Sequence, residues 1–390
     1  MGGVTSLKRL VILGSTGSIG RQTLDIVRNQ SRFKVLGLAA GDNLPLLVDQ
    51  VREFRPTLVA CKGSDFPDLG WAERVRCCSL EEIAVCPDAD IVVVATVGKV
   101  GLIPTLLALQ AGKKVALANK EVLVMAGDIV REAAERHGGV LLPVDSEHSA
   151  IWQCLVGEPA RPAGGSGNPL SAIRRLVLTA SGGAFRDVPM DQLAHVTPAQ
   201  ALHHPTWQMG SKVTVDSATL MNKGFEVMEA RWLFGYPLDQ IQVVMHRESI
   251  VHSLVEFTDG TIKAQLGIPD MRLPIQYALT YPERWPGPAP VSDFSTLTQL
   301  SFEAMDMGRF PCFSLALEAA QAGGTYPAVL SAADEVAVSR FLAGECSFPD
   351  IYRLTAAALE HHQPIYDPSV EEVMDADRWA YDYLAQGLGV

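Results

Sequence analysis

The first 145 or so residues alternate short continuous apolar runs with stretches of helical periodicity, the pattern of a parallel sheet buried on both faces. Residues 10–13, 35–38, 58–60, 91–94, 115–118 and 141–144 read as the strands. Between the second and third, Leu44, Leu47, Val48 and Val51 recur at helical spacing behind Asn43, a predicted N-cap. The expectation is an α/β protein whose N-terminal domain, residues 1–150, is doubly wound and binds a dinucleotide.

A chain of 390 residues exceeds what one hydrophobic core accommodates, so further domains are expected. Beyond a Pro/Gly-rich loop at 161–169, strands are expected at 176–179, 213–215, 242–245, 250–257 and 261–266, the last two joined at Asp259-Gly260. They form a central α+β catalytic and substrate-binding domain, 151–281, with a lid loop near 201–211. Pro282, Pro286, Pro288 and Pro290 mark a linker over 282–312, and helical periodicity with breaks near Gly323-Gly324 and Gly344 predicts a C-terminal helical bundle over 313–390.

Composition excludes several classes. Although 48% of residues are hydrophobic, no apolar run reaches the roughly 20 residues of a membrane span. With 32 Lys and Arg against 44 Asp and Glu, the net charge of −12 and the lack of a basic run argue against nucleic acid. Seven scattered cysteines without paired C-x-x-C spacing indicate neither a disulfide framework nor a zinc site, so a reducing cytoplasm is expected.

Gly14-Ser15-Thr16-Gly17-Ser18-Ile19-Gly20 follows the first strand and opens a helix, where small residues let backbone N–H groups approach a pyrophosphate. Gly41-Asp42-Asn43 stands after the second strand, where dinucleotide folds select the ribose. An acidic residue there, taken alone, leans towards NAD through the 2′-hydroxyl.

Asp145-Ser146-Glu147 sits at the carboxyl end of a predicted parallel strand, the edge where open sheets place ligands. If extended, the segment sets Asp145 and Glu147 on one face. Some eighty residues later, a helix starting near Asp216 or Ser217 sets Asn222, Lys223 and Glu226 on one face, with Met221, Phe225, Met228 and Trp232 on a buried stripe. Gly224 hints at close approach by another group. Carboxylates with oxygen-donor neighbours and no histidine at ligand spacing suit magnesium or manganese better than zinc. Thr179–Gly183 offers a hydroxyl and backbone donors for a phosphate, and residues 201–210 mix hinge-like residues with Trp207.

These strings closely resemble the 1-deoxy-D-xylulose 5-phosphate reductoisomerase family: GSTGSIG at Gly14, LANKE at Leu117, PVDSEH at Pro143, SGG at Ser181, HPTWQMG at His204, VDSATLMNKGFE at Val215 and GIPDMR at Gly267. The resemblance implies an NADPH-dependent homodimeric oxidoreductase of the non-mevalonate isoprenoid pathway, using Mg2+ or Mn2+ on a small phosphorylated sugar. By motif, Asp145, Glu147 and Glu226 look like the metal ligands. Ser181, Ser217, Asn222 and Lys223 look like the phosphate grip, with Ser146, Glu147, Glu226 and His204 beside the substrate and Trp207 on the lid. Thr16, Gly17, Ser18, Ile19, Gly41, Asn43, Asn119, Lys120, Glu121, Gly210 and Met271 look like cofactor contacts. Lys120, Glu147 and Lys223 are the catalytic candidates. Asp42 departs from the neutral or basic residue that family members often carry there. A semialdehyde or sugar-phosphate dehydrogenase would share the glycine loop but needs a positioned thiol, and a non-enzymatic NADP sensor has no use for convergent carboxylates.

Overall fold

The N-terminal apolar runs form one seven-stranded, wholly parallel sheet in the order β4-β3-β2-β1-β5-β6-β7. The structure is a computed structural model, and it describes residues 7–63, 66, 75–158, 172–293 and 295–387. The strands are β1 (Lys8–Leu13), β2 (Phe33–Ala40), β3 (Leu58–Cys61), β4 (Arg76–Cys77), β5 (Ile91–Val94), β6 (Lys114–Leu117) and β7 (Val140–Pro143). Leu10, Val11, Ile12 and Leu13 are completely buried, because helices cover both faces: α1 (Ser18–Arg28), α2 (Leu44–Phe54), α3 (Leu80–Ala84), α4 (Leu102–Gln110), α5 (Lys120–His137) and α6 (Ser146–Leu155). All six predicted strands are present. The two-residue β4, too short to carry a periodicity, was not foreseen.

From β1 the chain winds outward through β2, β3 and β4, then crosses back to β5 on the other side of β1. That reversal places the loop after β1 at a topological switch point, where such sheets open a crevice. The C-terminal edges of β6 and β7 lead directly into α5 and α6, so Asn119 to Glu121 and Asp145 to Glu147 become helix N-termini on the same rim.

A second sheet has the order β11-β10-β8-β9-β12, with β8 (Ile173–Ala180), β9 (Ile241–Met245), β10 (Val251–Phe257), β11 (Ile262–Leu266) and β12 (Glu303–Ala304). Only β8 and β9 run parallel within it. The helices of this region are α7 (Pro198–Ala201), α8 (Ser211–Thr219), α9 (Met221–Phe234) and α10 (Arg272–Thr280). Past the prolines come α11 (Pro311–Ala322), α12 (Tyr326–Ala343), α13 (Phe348–His361) and α14 (Val370–Ala385), with Gly323 and Gly344 ending the first two of these as expected.

Three expectations are corrected. Residues 213–215 are not a strand but the middle of α8, since burial of Thr214 to Thr219 outweighs the β preference of Val213 and Val215. The helix bearing Glu226 does not start at Asp216 or Ser217; α8 ends at Thr219, Leu220 turns left-handed at φ 58°, and α9 begins anew at Met221. The proline-rich stretch is no free linker. It carries β12, which pairs with β9, and the His246 imidazole donates from Nδ1 to the Ser301 carbonyl at 2.8 Å. The expected loop at 161–169 lies outside the described residues.

Met221, Phe225 and Met228 are buried as expected, whereas Trp232 is only partly so, capping Gly127 of α5. Gly224 has the close neighbour that its residue type implied. A Cβ there would stand 2.3 Å from the Ala316 Cβ on α11. Among the described residues no helix is long and apolar enough to cross a membrane.

Gly224→Ala is therefore expected to lower the unfolding free energy by about 1–3 kcal/mol through overpacking, despite alanine's better helix propensity. Adding Ala316→Gly should restore part of the loss in chemical denaturation, and an additive double mutant would contradict the contact.

Candidate active site

The N-termini of α5, α6 and α9, the C-terminal end of α8 and the end of β8 converge on a cleft whose walls include Lys120, Asp145, Ser146, Glu147, Ser181, His204, Trp207, Ser217, Asn222, Lys223 and Glu226. Every residue assigned from sequence to metal, phosphate or substrate is among them.

Asp145 is the N-cap of α6, its Oδ1 accepting from the Ser146 N–H at 2.9 Å, and Glu147 follows in the first turn. The segment is thus helical, not extended. Asp145 and Glu147 still face the same side, because the cap residue and the first turn both look out of the helix end. Glu226 comes from α9, and one carboxylate oxygen each from Asp145, Glu147 and Glu226 lie within 4.8 Å of one another.

Two buried ammonium groups hold these acids together. Lys120 Nζ donates to Asp145 Oδ2 at 2.8 Å and to the Asn222 side-chain carbonyl, and it lies 3.6 Å from Glu226 Oε1. Lys223 Nζ donates to Glu147 Oε1 at 2.8 Å and also to Glu226. Asn222 turns its amide onto Glu226, and the Ser146 hydroxyl donates to Glu147 Oε2 at 2.5 Å. Burial works against ionisation throughout. The lysines nevertheless keep Asp145 and Glu147 below the usual carboxylate range, and the acids keep Lys120 and Lys223 above the usual ammonium range. Glu226 is the exception. Burial and the facing Glu147 push its carboxyl up to about 7. Such mutual repulsion among three converging carboxylates is relieved by a hard divalent cation, so the donor set fits Mg2+ or Mn2+.

The hydroxyl side of the cleft is a separate constellation. Gly183 is left-handed at φ 66°, and a Cβ there would strike the Ser217 carbonyl at 2.5 Å, so glycine lets the turn after β8 close on α8. Ser181 and Ser217 thereby flank His204, whose Nε2 lies 3.0 Å and 3.1 Å from their hydroxyls. His204 Nδ1 accepts from the backbone N–H groups of Thr206 and Trp207, so the ring hydrogen sits on Nε2. Burial, aided by Arg186, drives the His204 ring down to about 4 and keeps it neutral. Lys223 and Asn222, assigned from sequence to the phosphate with these serines, stand at the acid side of the cleft, hydrogen-bonded to Glu147 and Glu226.

A second cleft runs along the glycine loop. A Cβ on Gly14 would overlap the Ala95 carbonyl at 2.3 Å, and the Ser15 hydroxyl is locked onto Gln50 at 2.7 Å, which fixes the loop against β5 and α2. Thr16, Gly17 and Ser18 then open α1 into the cleft, where Gly210 and Met271 face them. Free N–H groups of that first turn suit a pyrophosphate. Trp207, Met209 and Met271 line both clefts, which therefore adjoin.

Ile19, Gly41, Asn43, Asn119 and Glu121 do not line this cleft. Ile19 packs on the core; Gly41 is exposed beyond β2; Asn43 caps α2 through Leu46 N–H. Asn119 caps α5 and donates to Thr96 and to the Gly98 carbonyl, while Glu121 is buried near Lys212. Asp42 pairs with Lys62 at 3.0 Å on the exposed rim beyond β2 and β3.

Sequence reading missed three features. Lys212 bridges Asp216 and Asp334 at 2.7 Å and 2.8 Å, tying α8 to α12, and its signal was only the i, i+4 spacing to Asp216. His252 stands 5.8 Å from the Trp207 ring across the cleft. His148, three residues after Asp145, joins Asp145 and Glu229 in a second group of close donor atoms, which corrects the statement that no histidine lies at ligand spacing.

Models of the DXP reductoisomerase family match three successive parts of the chain: 1-deoxy-D-xylulose 5-phosphate reductoisomerase over 10–127, its C-terminal domain model over 141–234, and the DXP reductoisomerase C-terminal domain over 266–383. The 1-deoxy-D-xylulose 5-phosphate reductoisomerase of Pelotomaculum thermopropionicum is 53% identical, covering 96% of this chain and 97% of that protein. That of Geobacillus kaustophilus is 51% identical over 96% and 98%. Among solved structures, a DOX-P reductoisomerase in complex with NADPH, fosmidomycin and magnesium superposes with a TM-score of 0.91 at 38% identity, covering 97% of this chain and 98% of that one. The Zymomonas mobilis enzyme in complex with NADPH gives 0.88 at 40% identity over 98% and 99%. With this site on this fold, the chain belongs to the 1-deoxy-D-xylulose 5-phosphate reductoisomerase family.

Proposed function

We propose that the two adjoining clefts convert 1-deoxy-D-xylulose 5-phosphate to 2-C-methyl-D-erythritol 4-phosphate with NADPH and a divalent metal. The observation that carries this is the convergence of Asp145, Glu147 and Glu226 on one point, beside a wall shared with the glycine-loop cleft. These three carboxylates hold the ion and Thr16, Gly17 and Ser18 hold the cofactor pyrophosphate. When bound, a divalent cation supplies Lewis-acid polarisation of the substrate's ketone and hydroxyl oxygens, and NADPH supplies the hydride.

The chain's own groups do the rest. Ser181, Ser217 and the Nε2–H of neutral His204 grip the phosphate, with Asn222 and Lys223 reaching it from the acid side. Anchoring this remote group orients the carbon chain while one carbon–carbon bond is cleaved and a different one is formed, which branches the skeleton. Lys120, held between Asp145 and Asn222, places a positive charge beside the reacting oxygens as negative charge develops on them. Trp207 and its loop, 201–211, act as the lid that excludes water from both clefts. The division into a dinucleotide domain, a catalytic domain and a helical domain, the homodimer, the cytoplasmic location and the use of Mn2+ in place of Mg2+ are part of this proposal and rest on the family resemblance. The salt bridge from Lys62 offsets Asp42 at the ribose end, which supports NADPH over the NAD that Asp42 alone favours.

Glu226→Gln is expected to weaken Mg2+ binding by at least about 10- to 100-fold, as disturbed ligand shells do, with activity falling in step. NADPH binding, read from nicotinamide fluorescence, should survive, and unchanged Mg2+ affinity would remove Glu226 from the ion.

Lys62→Ala should weaken NADPH binding while leaving NADH binding alone, and an equal loss for both would detach Lys62 from the 2′-phosphate.

His204 adds a pH dependence to stability. Its folded value of about 4 lies below the ordinary 6.5, so the unfolded chain binds more protons between those limits and stability declines as pH falls from 6.5 towards 4. Thermal melts of His204→Gln should show a shallower decline over that window than the wild type.

A further inference from the structure

The donors that grip the phosphate are neutral. Ser181 and Ser217 are hydroxyls, and burial keeps the His204 ring between them uncharged. Lys223, the ammonium that faces them from α9, is engaged by Glu147 and Glu226. A phosphate monoester carries close to two negative charges at neutral pH, its second ionisation lying near about 6. Moving such a dianion from water onto neutral, partly buried donors is unfavourable unless a positive charge stands close behind them.

Arg186 supplies that charge. It lies in the turn after β8 with its side chain 20% exposed. Its Nη1 donates to the Ser181 carbonyl at 2.9 Å and to the Arg247 carbonyl at 3.3 Å. The turn that presents the Ser181 hydroxyl is thereby tied to the loop between β9 and β10. In that loop Ser249, left-handed at φ 54°, meets the lid hydroxyl of Thr206 at 3.0 Å. Gly182 permits the fold-back, since it is left-handed at φ 84° and a Cβ there would stand 2.8 Å from the Arg186 Cβ. The guanidinium thus sits directly behind Ser181, and its charge helps to hold His204 neutral.

The surrounding acids are turned elsewhere. Asp187, exposed to solvent, accepts from Arg247 at 2.7 Å and 2.9 Å and stands 3.4 Å from Arg186 Nε. Glu303 pairs with Arg247, and Glu248 accepts from the Ser301 hydroxyl. On α8, Asp216 faces Lys212, and on β10 burial lowers the His252 ring and keeps it neutral. Water screens Asp187 and Glu303, whereas Nη1 of Arg186 points inward onto carbonyls.

We infer that Arg186 is a specificity-determining residue of the phosphate grip: it fixes the Ser181 turn and sets a positive charge behind it, so that the cleft selects the dianion of a phosphate monoester over the monoanion. This rests on the assignment of Ser181, Ser217 and His204 to the phosphate.

The test reads the ionisation of bound substrate by phosphorus NMR, with Mg2+ saturating and NADPH absent, and its affinity by calorimetry. In the wild type the phosphorus signal of bound 1-deoxy-D-xylulose 5-phosphate is expected to stay that of the dianion down to about pH 5, one unit below the free ester. Arg186→Lys keeps the charge and should titrate alike. Arg186→Gln keeps a donor for one carbonyl without the charge, so its bound phosphate should protonate near the free value. Its affinity should fall about tenfold at about pH 7.5, the equivalent of one unit, and much less at about pH 5.5. The loss grows with pH because the missing cation penalises the dianion, and a His204 ring relieved of Arg186 acts in the same direction by protonating only at the acid end.

A wild-type phosphate that titrates as it does free in solution overturns the inference, whatever the variants do. An affinity loss in Arg186→Gln that is equal at every pH also overturns it, since that marks a purely structural tie. Ser181→Ala and Ser217→Ala separate the two levels of the argument. If neither weakens substrate binding, the grip itself is misassigned. If they do and Arg186→Gln leaves the phosphorus titration unchanged, the role of Arg186 alone falls.

Discussion

Lys120 and Lys223, both almost wholly buried, are the constraint around which the site is organised. Each sits among carboxylates that would otherwise repel one another, and each carboxylate belongs to a different stretch of chain from its lysine, apart from the Lys223–Glu226 pair on α9. Removing one partner from such a buried cluster typically costs about 3–5 kcal/mol, because the remaining charge is stranded. The network therefore binds α5, α6 and α9 at one rim, and with them the first sheet and the region of the second. The same acids that need the lysines for stability are those we propose as the cation's ligands, so folding and ion binding would draw on one set of charges.

Much of this architecture is legible in the sequence because its signals are local. Apolar runs bounded by glycine name the strands of a parallel sheet, and the capping residue Asn43 marks where α2 begins. The candidate site residues are legible for a different reason: they fall in short strings with a recognisable chemical composition. What escaped reading is non-local. Val213 and Val215 favour a strand until Asp334, more than a hundred residues on, pairs with Lys212 and α8 packs beneath α12. The stretch from 282 to 312 carries no periodicity that announces β12, since its two residues are held by β9 and the chain just before them by the bond from His246 to Ser301. His148 hides beside Glu147 because its partner, Glu229, lies on another helix.

Close backbone approaches do as much positioning as the charges. Gly183 lets the turn after β8 settle on α8 so that two serines meet one histidine, and Gly224 lets α9 press on α11. Glu226 sits half a turn from Gly224. The C-terminal helices thus buttress a cleft to which they contribute no side chain. They support it by packing, through the contact of α9 with Ala316, and by the Lys212–Asp334 pair that ties α8 to α12.

Arg272, in the segment that carries Met271, forms an ion pair with Asp25 of α1 at 3.1 Å and another with Asp270 at 2.6 Å. This strap is partly open to water, and it joins the two banks of the nucleotide cleft. Dissolved salt reaches it where it cannot reach the interior lysines, since screening acts within about 8–10 Å at physiological ionic strength and only on solvent-facing charges. Ionic strength thus acts on the tie between α1 and the segment carrying Met271 while the interior lysine pairs keep their strength.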